Sequence, residues 1–589
     1  MNKLIILILL SMVTNISRGQ EIDLEKFETN FIQIRQKPGT DDLLKDYLSR
    51  AGSQEDTLYA FVYSPGQCPR CEGMIKEFHR QLLNNKRKLL LITLNADEKV
   101  SKLYNKKKDY EAEYYIYDTD KSIAKFFSFN TSVLGVAYIL KISKNGRLIS
   151  GGDDSFMSSK FVKQLIEKKE PLPYMDFSAK DNAKKKFLPA YKLPAKIMKR
   201  NKDIAMSMPD SIWLCGINER PVWYENHFYY ADEVLEGMEL FQESDNEMRF
   251  KALFKPTKRE SMRFVKISKE DYEPRKRSGM FFNIVISGNP LDTNHYGISC
   301  SLPELEYIDD GIVYYNSACI LSRRMDNEQP DSAIVFDFEV DKSKYFFKHF
   351  NFSSTGDKIV LGCQKLTWPM EFEPKDYKND VTLDPFVEGF YHTNNPFMAV
   401  FDRHTGKLVT QFGQLDKMAE KTRTGYAFVS PRSAVYNDEV AYTDGSSGKI
   451  YVVDIANVHK NKACYEIFKI EDSDLPPLDS TQYYKDTEYM MPYWRVFCRN
   501  IDDIRLTTDY LYCVVAYGNF YERRTNDCDA TFVRVNRKTR KVEQWAFPKD
   551  YGIYKLFARG LRTTTDGKVY PFAVLKTKDE ALLRTFYPY

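Results

Sequence analysis

The chain has 589 residues, of which 43% are hydrophobic, 14% aromatic and 29% charged. That is too long for one ordinary domain and too rich in core-forming side chains for global disorder. Lys+Arg 86 against Asp+Glu 82 gives +4, a balance that argues against a dedicated nucleic-acid binder with its marked basic excess.

The chain opens on Lys3, an apolar run from Leu4 to Val13, and Ser17-Arg18-Gly19 with small residues at both ends. This pattern predicts a signal peptide over residues 1–19, cleaved after Gly19. An apolar run of about ten residues is roughly half of what a bilayer span requires. No later stretch has the length for one, so no membrane span is expected after cleavage. Export changes how the ten cysteines read, because thiols can pair in an oxidising compartment.

Residues 20–170 alternate helix and strand signals. Leu24, Phe27, Phe31 and Ile34 fall at helical spacing, and Thr40 can cap a helix bearing Leu43, Leu44, Tyr47 and Leu48. Leu58–Tyr63 predicts a buried strand, Ser64-Pro65-Gly66-Gln67 a turn, and Cys68-Pro69-Arg70-Cys71 the opening of a helix with Met74, Ile75, Phe78 and Leu82 on one face. Strands are expected at 89–94 and 114–117, then a hairpin over 136–149, then a helix with Phe161, Val162, Leu165 and Ile166. The sum is an α/β sandwich.

A free thiol with pKa ~8.5 is only about 3% ionised at pH 7. At a helix N-terminus, unpaired N–H groups and the macrodipole favour the thiolate, and Arg70 adds positive potential. Cys68 is therefore the expected nucleophile. Cys71, one turn in, is the expected resolving thiol, and Pro69 suits a first-turn position whose N–H is not needed. Plainer readings are a permanent structural disulfide, or half of a zinc site with no second CxxC to complete it.

Strand, CxxC, helix and terminal hairpin together resemble the thioredoxin fold, in its exported TlpA/ResA-like branch, over about a quarter of the chain. The resemblance implies attack by Cys68 on a partner disulfide and resolution by Cys71. It also implies a cis-proline before the hairpin, where this sequence has Gly135-Val136-Ala137-Tyr138. Ala137 thus stands at the proline position, and a non-proline cis bond costs about 2.5–4 kcal/mol. The family's buried acid would map near Val62, where there is none.

Residues 171–200, with Pro171, Pro173, Pro189, Pro194 and Lys184-Lys185-Lys186, read as a solvated linker. From 201 to 589 the hydrophobic period becomes two. Asp followed by a short strand recurs at Asp210, Asp310, Asp357, Asp438, Asp509 and Asp566, and a second turn motif recurs at Asp402, Asp454 and Asn536. Uneven, blade-sized repeats are what a β-propeller produces. This part resembles the divergent NHL- or TolB-like propellers of exported bacterial proteins, with six blades, or seven if the first interval hides one.

The repeated aspartates read as turn residues rather than metal ligands. His392 and His404 lack ligand spacing, and Trp494 sits in an insertion (471–500) that either lines a surface or covers its own aromatics. Of the remaining cysteines, 215, 363 and 513 lie in strand patterns and read as buried, while one or two disulfides involving Cys498, Cys513 or Cys528 are open.

The expectation is an exported, periplasmic thiol–disulfide oxidoreductase-like protein. Its partners would be protein thiols or disulfides, with a protein or small-molecule ligand at the propeller face, and neither cofactor nor metal is implied. The alternative is a non-catalytic binding or scaffold protein whose first domain is a degenerate docking module.

Overall fold

The computed structural model describes residues 56–65, 69–94, 98–118 and most of 138–153, then 193–209, most of 221–254, the strands between 262 and 365, and most of 381–587. The chain divides into two compact units, Met1–Phe187 with Asp210–Ile217, and Leu188–Pro209 with Asn218–Tyr589.

In the first unit, β1 (Thr57–Tyr63) and β2 (Leu89–Leu94) are continuous apolar runs, buried along almost their whole length, as expected of strands covered on both faces. They pair in parallel, and β2 pairs in parallel with β3 (Tyr114–Asp118). On the other side of β1, β4 (Tyr138–Ser143) runs antiparallel and is followed by antiparallel β5 (Leu148–Asp153). The order is β3-β2-β1-β4-β5. The expected hairpin is present and extends further than the sequence suggests, to Asp153; its first residues, 136 and 137, lie outside the described residues.

Helix α1 (Pro69–Asn84) joins β1 to β2 and buries Ile75, Phe78 and Leu82, one stripe at helical spacing. It stops where Lys86 takes a left-handed φ of 55° and the Arg87 N–H returns to the Leu82 carbonyl. Helix α2 (Glu98–Lys108) ends in the same way, with Asp109 at φ 55° and Tyr110 N–H donating to the Asn105 carbonyl. The helices expected before residue 50 and after 160 lie outside the described residues, apart from helical backbone at positions 45 and 49.

The second unit is mostly strand. After β6 (Lys199–Ser207) come antiparallel β7 (Val222–Tyr224), β8 (His227–Asp232), β9 (Gly237–Ser244) and β10 (Glu247–Phe254). Strand β11 (Met262–Lys266) precedes β12 (Ile284–Pro290) and β13 (His295–Ser301). β14 (Glu306–Tyr307) and β15 (Ile312–Asn316) precede β16 (Cys319–Arg324) and β17 (Pro330–Val335). β12-β13-β16-β17 is a four-stranded sheet, with β11-β15-β14 forming a separate three-stranded one.

Further four-stranded sheets follow in chain order. They are β18 (Phe347–Thr355), β19 (Lys358–Lys365), β20 (Met398–Asp402) and β21 (Leu408–Phe412); then β22 (Arg432–Tyr436), β23 (Glu439–Thr443), β24 (Lys449–Asp454) and β25 (Asn457–Glu466); then β26 (Arg499–Leu506), β27 (Tyr510–Tyr517), β28 (Asp529–Asn536) and β29 (Val542–Ala546). Last come β30 (Lys555–Thr563), β31 (Val569–Lys576) and β32 (Ala581–Tyr587), with β6 pairing antiparallel to β32 as the fourth strand.

The first strands touch in succession, β7 to β12, β12 to β18, β18 to β22, β22 to β26 and β26 to β30. Short parallel pairings of β30 with β7 and of β10 with β6 close the circle. This is a β-propeller-like arrangement. Its core lies between neighbouring sheets: Ala434, Ala441, Ile450 and Val452 of one pack with Ile501, Ile504, Leu511 and Val533 of the next. β6 and β32 lie almost a whole unit apart in sequence, so their pairing ties the two ends of the ring together.

Four of the six aspartate repeats mark the hairpin between the first and second strands of a sheet: Asp357, Asp438, Asp509 and Asp566. Asp310 instead precedes β15 of the three-stranded sheet, a correction to its reading as a repeat start. The segment after Asp210 lies outside the described residues and groups with the first unit.

Candidate functional site

β1 occupies the middle of its sheet and ends at Tyr63, at the C-terminal edge of the parallel strands, and α1 opens at Pro69. This edge is where open α/β sheets carry their ligand sites. Pro69, Arg70 and Cys71 are the first three residues of α1, and Cys68 immediately precedes it. Cys68 and Ala137 themselves lie outside the described residues, as do the side chains of Pro69, Arg70 and Cys71. The helix is anchored by Phe78, whose ring centroid is 6.0 Å from that of Phe61 on β1.

Val62 is fully buried, so the position where an acid would stand is apolar. Tyr63 and Ser64 beyond it are also buried. The Tyr63 ring meets Tyr110 edge-on at 6.0 Å and lies 6.5 Å from Tyr104, while its hydroxyl donates to Asn105 Oδ1 of α2.

One residue missed by sequence reasoning is Lys141, buried on β4 opposite Tyr59 with its Nζ 5.7 Å from that ring. Burial, and then the nearby Arg87 charge, hold its ammonium below the ordinary lysine range. A single lysine within the apolar run Tyr-Ile-Leu-Lys-Ile was the available signal.

In the second unit, buried polar side chains gather at the loop between β23 and β24. Asp444 is buried, its Oδ1 accepts from Ser447 N–H at 2.8 Å, and its carbonyl accepts from Ser430 N–H at 2.7 Å. Burial pushes its carboxyl up to about 6. Gly445 takes a φ of +85°, and a Cβ there would lie 2.7 Å from both Asn500 Oδ1 and the Ser430 carbonyl. Asn500, at the start of β26, is fully buried and its amide has no hydrogen-bond partner among the described residues. Arg432 donates from Nε to the Asp502 carbonyl at 3.0 Å, bridging β22 and β26. Asp416 caps helix α3 (Lys417–Thr422) and pairs with Lys449 at 2.6 Å.

Cys363, Cys464, Cys498, Cys513 and Cys528 are not joined in disulfides, so the bridges considered for Cys498, Cys513 and Cys528 are not formed with one another. Cys363 and Cys513 are buried in strands, and burial raises both thiols, Cys363 to about 12. The aspartates act in turns: Asp402 Oδ1 accepts from His404 N–H, Thr405 N–H and the Thr405 hydroxyl. His404 thus serves a turn, and His392 ends a short 3₁₀ helix. Within the 471–500 insertion Tyr493 is buried and donates to the Pro476 carbonyl at 2.6 Å, covered by its own loop. The Trp494 side chain lies outside the described residues.

Among the described residues no helix is long and apolar enough to cross a membrane. No protein-family model matches the chain, and no curated protein sequence does. Among solved structures, a luciferin-regenerating enzyme aligns over 63% of this chain and 91% of its own at 11% identity and a TM-score of 0.32. The soluble aldose sugar dehydrogenase of Escherichia coli aligns over 67% and 99% at 12% identity and 0.27. A subtype N10 neuraminidase-like protein of A/little yellow-shouldered bat/Guatemala/060/2010 aligns over 67% and 98% at 6% identity and 0.30.

Proposed function

We propose that the protein is an exported, periplasmic thiol–disulfide oxidoreductase with a thioredoxin-like first domain and a six-bladed propeller that receives the client or a partner. The observation that carries this reading is the 16-residue helix α1, which follows the central strand β1 and opens on Pro69-Arg70-Cys71, with Cys68 the preceding residue in the sequence. A thiolate at that point gains from the helix N-terminus.

In the proposed exchange, the Cys68 thiolate attacks one sulfur of a client disulfide, forming a mixed disulfide and releasing the other client sulfur as a thiolate. The Cys71 thiolate then attacks the Cys68 sulfur, closing the intramolecular disulfide and releasing the second client thiolate. The client gains two electrons and the cysteine pair loses two; the reverse sequence oxidises a dithiol client.

A second reading, a non-catalytic binding protein, is favoured by the apolar Val62 and by the buried polar set around Asp444 and Asn500.

Equilibrating the full chain across glutathione redox buffers, trapping thiols by alkylation and assaying disulfide reduction separates the two readings. Exchange is expected in the wild type and lost in Cys68→Ser. A pair that stays oxidised at every poise, with no effect of Cys68→Ser, overturns the enzyme reading.

A further inference from the structure

Tyr63 and Thr93 are direct partners on the parallel strands β1 and β2, so their side chains share one face of the sheet. Helix α2 covers that face, as the contacts of Tyr63 with Tyr104 and Asn105 establish. Ser101 lies one helical turn before Asn105 and so on the same side of α2.

Thr93 and Ser101 are fully buried, and Asn105 is 4% exposed. Even so, Thr93 Oγ1, Ser101 Oγ and Asn105 Nδ2 have no hydrogen-bond partner among the described residues. Turning the Asn105 amide by 180° would only exchange the end that Tyr63 engages. Buried polar groups are overwhelmingly paired, with protein or with water, and three orphans shared between one strand and the facing helix point to a common missing partner.

The four side chains define that partner. They are neutral, so they offer neither the cation an anion would need nor the carboxylate a metal ion would need. The hydroxyls donate and accept, and the amide donates, so the occupant must do both within a sealed interior. We infer that Tyr63, Thr93, Ser101 and Asn105 enclose an internal binding site for ordered water, which fastens α2 to the ends of β1 and β2. Buried water makes about three hydrogen bonds to such groups.

The test depends on the sign of an effect. If the site is hydrated, Thr93→Val and Ser101→Ala each remove a water partner. Each should then lower the Tm of the full chain by a few degrees, and the double variant should lose less than the sum because both act through the same water. A crystal structure of the wild-type chain should show ordered density within hydrogen-bond distance of Thr93 Oγ1 and Ser101 Oγ. If the site is dry, each substitution relieves an unpaired hydroxyl and raises the Tm. A raised Tm in both variants, or the absence of that density in a well-ordered crystal, overturns the inference, and the density criterion stands even where a variant fails to fold.

Discussion

The backbone carbonyl of Asp509 accepts the N–H of Arg537 at 2.8 Å, joining the β26–β27 hairpin to the β28–β29 turn. Asp357 does the same for Arg403 at 2.7 Å, and Asp438 for Ile455 at 2.9 Å. The two turn motifs that recur in the sequence are therefore the two halves of one contact, which locks the first and third hairpins of a sheet at one end. The turns match in detail: Asn536 Oδ1 accepts from Lys538 and Thr539 N–H much as Asp402 Oδ1 does from His404 and Thr405. A left-handed residue completes each, Arg540 at φ 62° and Gly406 at φ 68°.

Arg537 extends this lock to the neighbouring sheet. Its Nη1 donates to the Thr507 carbonyl at 2.8 Å, and its Nη2 to Glu439 Oε2 on β23 at 2.6 Å. Both side chains are largely buried. Arg537→Ala is expected to cost about 2 kcal/mol, since it leaves the Thr507 carbonyl without this donor and Glu439 with only the longer, 3.4 Å pair to Lys462. Lys541→Ala, which removes an exposed pair with Glu543, should cost roughly 0.5 kcal/mol or less. Denaturant midpoints compare the two, and equal losses would contradict the assigned role.

Two glycines with nearly the same backbone angle differ in their surroundings. Gly567, at φ +75°, has nothing within 4 Å of an added Cβ, whereas at Gly448, φ +74°, that Cβ would lie 2.2 Å from the Phe468 carbonyl oxygen. Gly567→Ala should cost only the left-handed conformation, about 1 kcal/mol. Gly448→Ala must also displace backbone and should cost roughly 3 kcal/mol or more. Thermal unfolding of both variants checks the ranking.

Asp444 gives the propeller-like unit a pH dependence of known sign. Its folded pKa of about 6 lies above the unfolded value of 3.8. The protonated group's contribution is therefore complete below about pH 4 and is lost as pH rises through about 6. Asp444→Asn keeps an oxygen for the Ser447 N–H while removing the buried charge. It should be more stable than wild type by roughly 3 kcal/mol at pH 7.5, and lose most of that advantage by pH 4. Urea unfolding at the two pH values measures this, and an unchanged difference would contradict it.

The first unit was legible where one element's own pattern carried the signal. The stripe Ile75, Phe78, Leu82 defines α1, and the apolar runs at Leu58 and Leu89 define its flanking strands. The aspartate repeats were legible as turns, but a turn does not say which sheet its strands will join. Asp310 therefore belongs to a side sheet. The β7–β8 hairpin escaped notice because Glu225, with φ 52°, stands at its turn. Neither the pairing of β6 with β32 nor the orphaned set Thr93, Ser101 and Asn105 has a local signature. Both arise only when distant segments pack together.

The most direct test of the account is the pH dependence of Cys68 alkylation in a full-length Cys71→Ser variant, read site by site by peptide mass so that exposed Cys464 does not intrude. A thiol activated at the start of α1 should react with a midpoint below about pH 7. A midpoint near the ordinary value of about 8.5, or no native-state reaction at all, would contradict the proposed exchange chemistry.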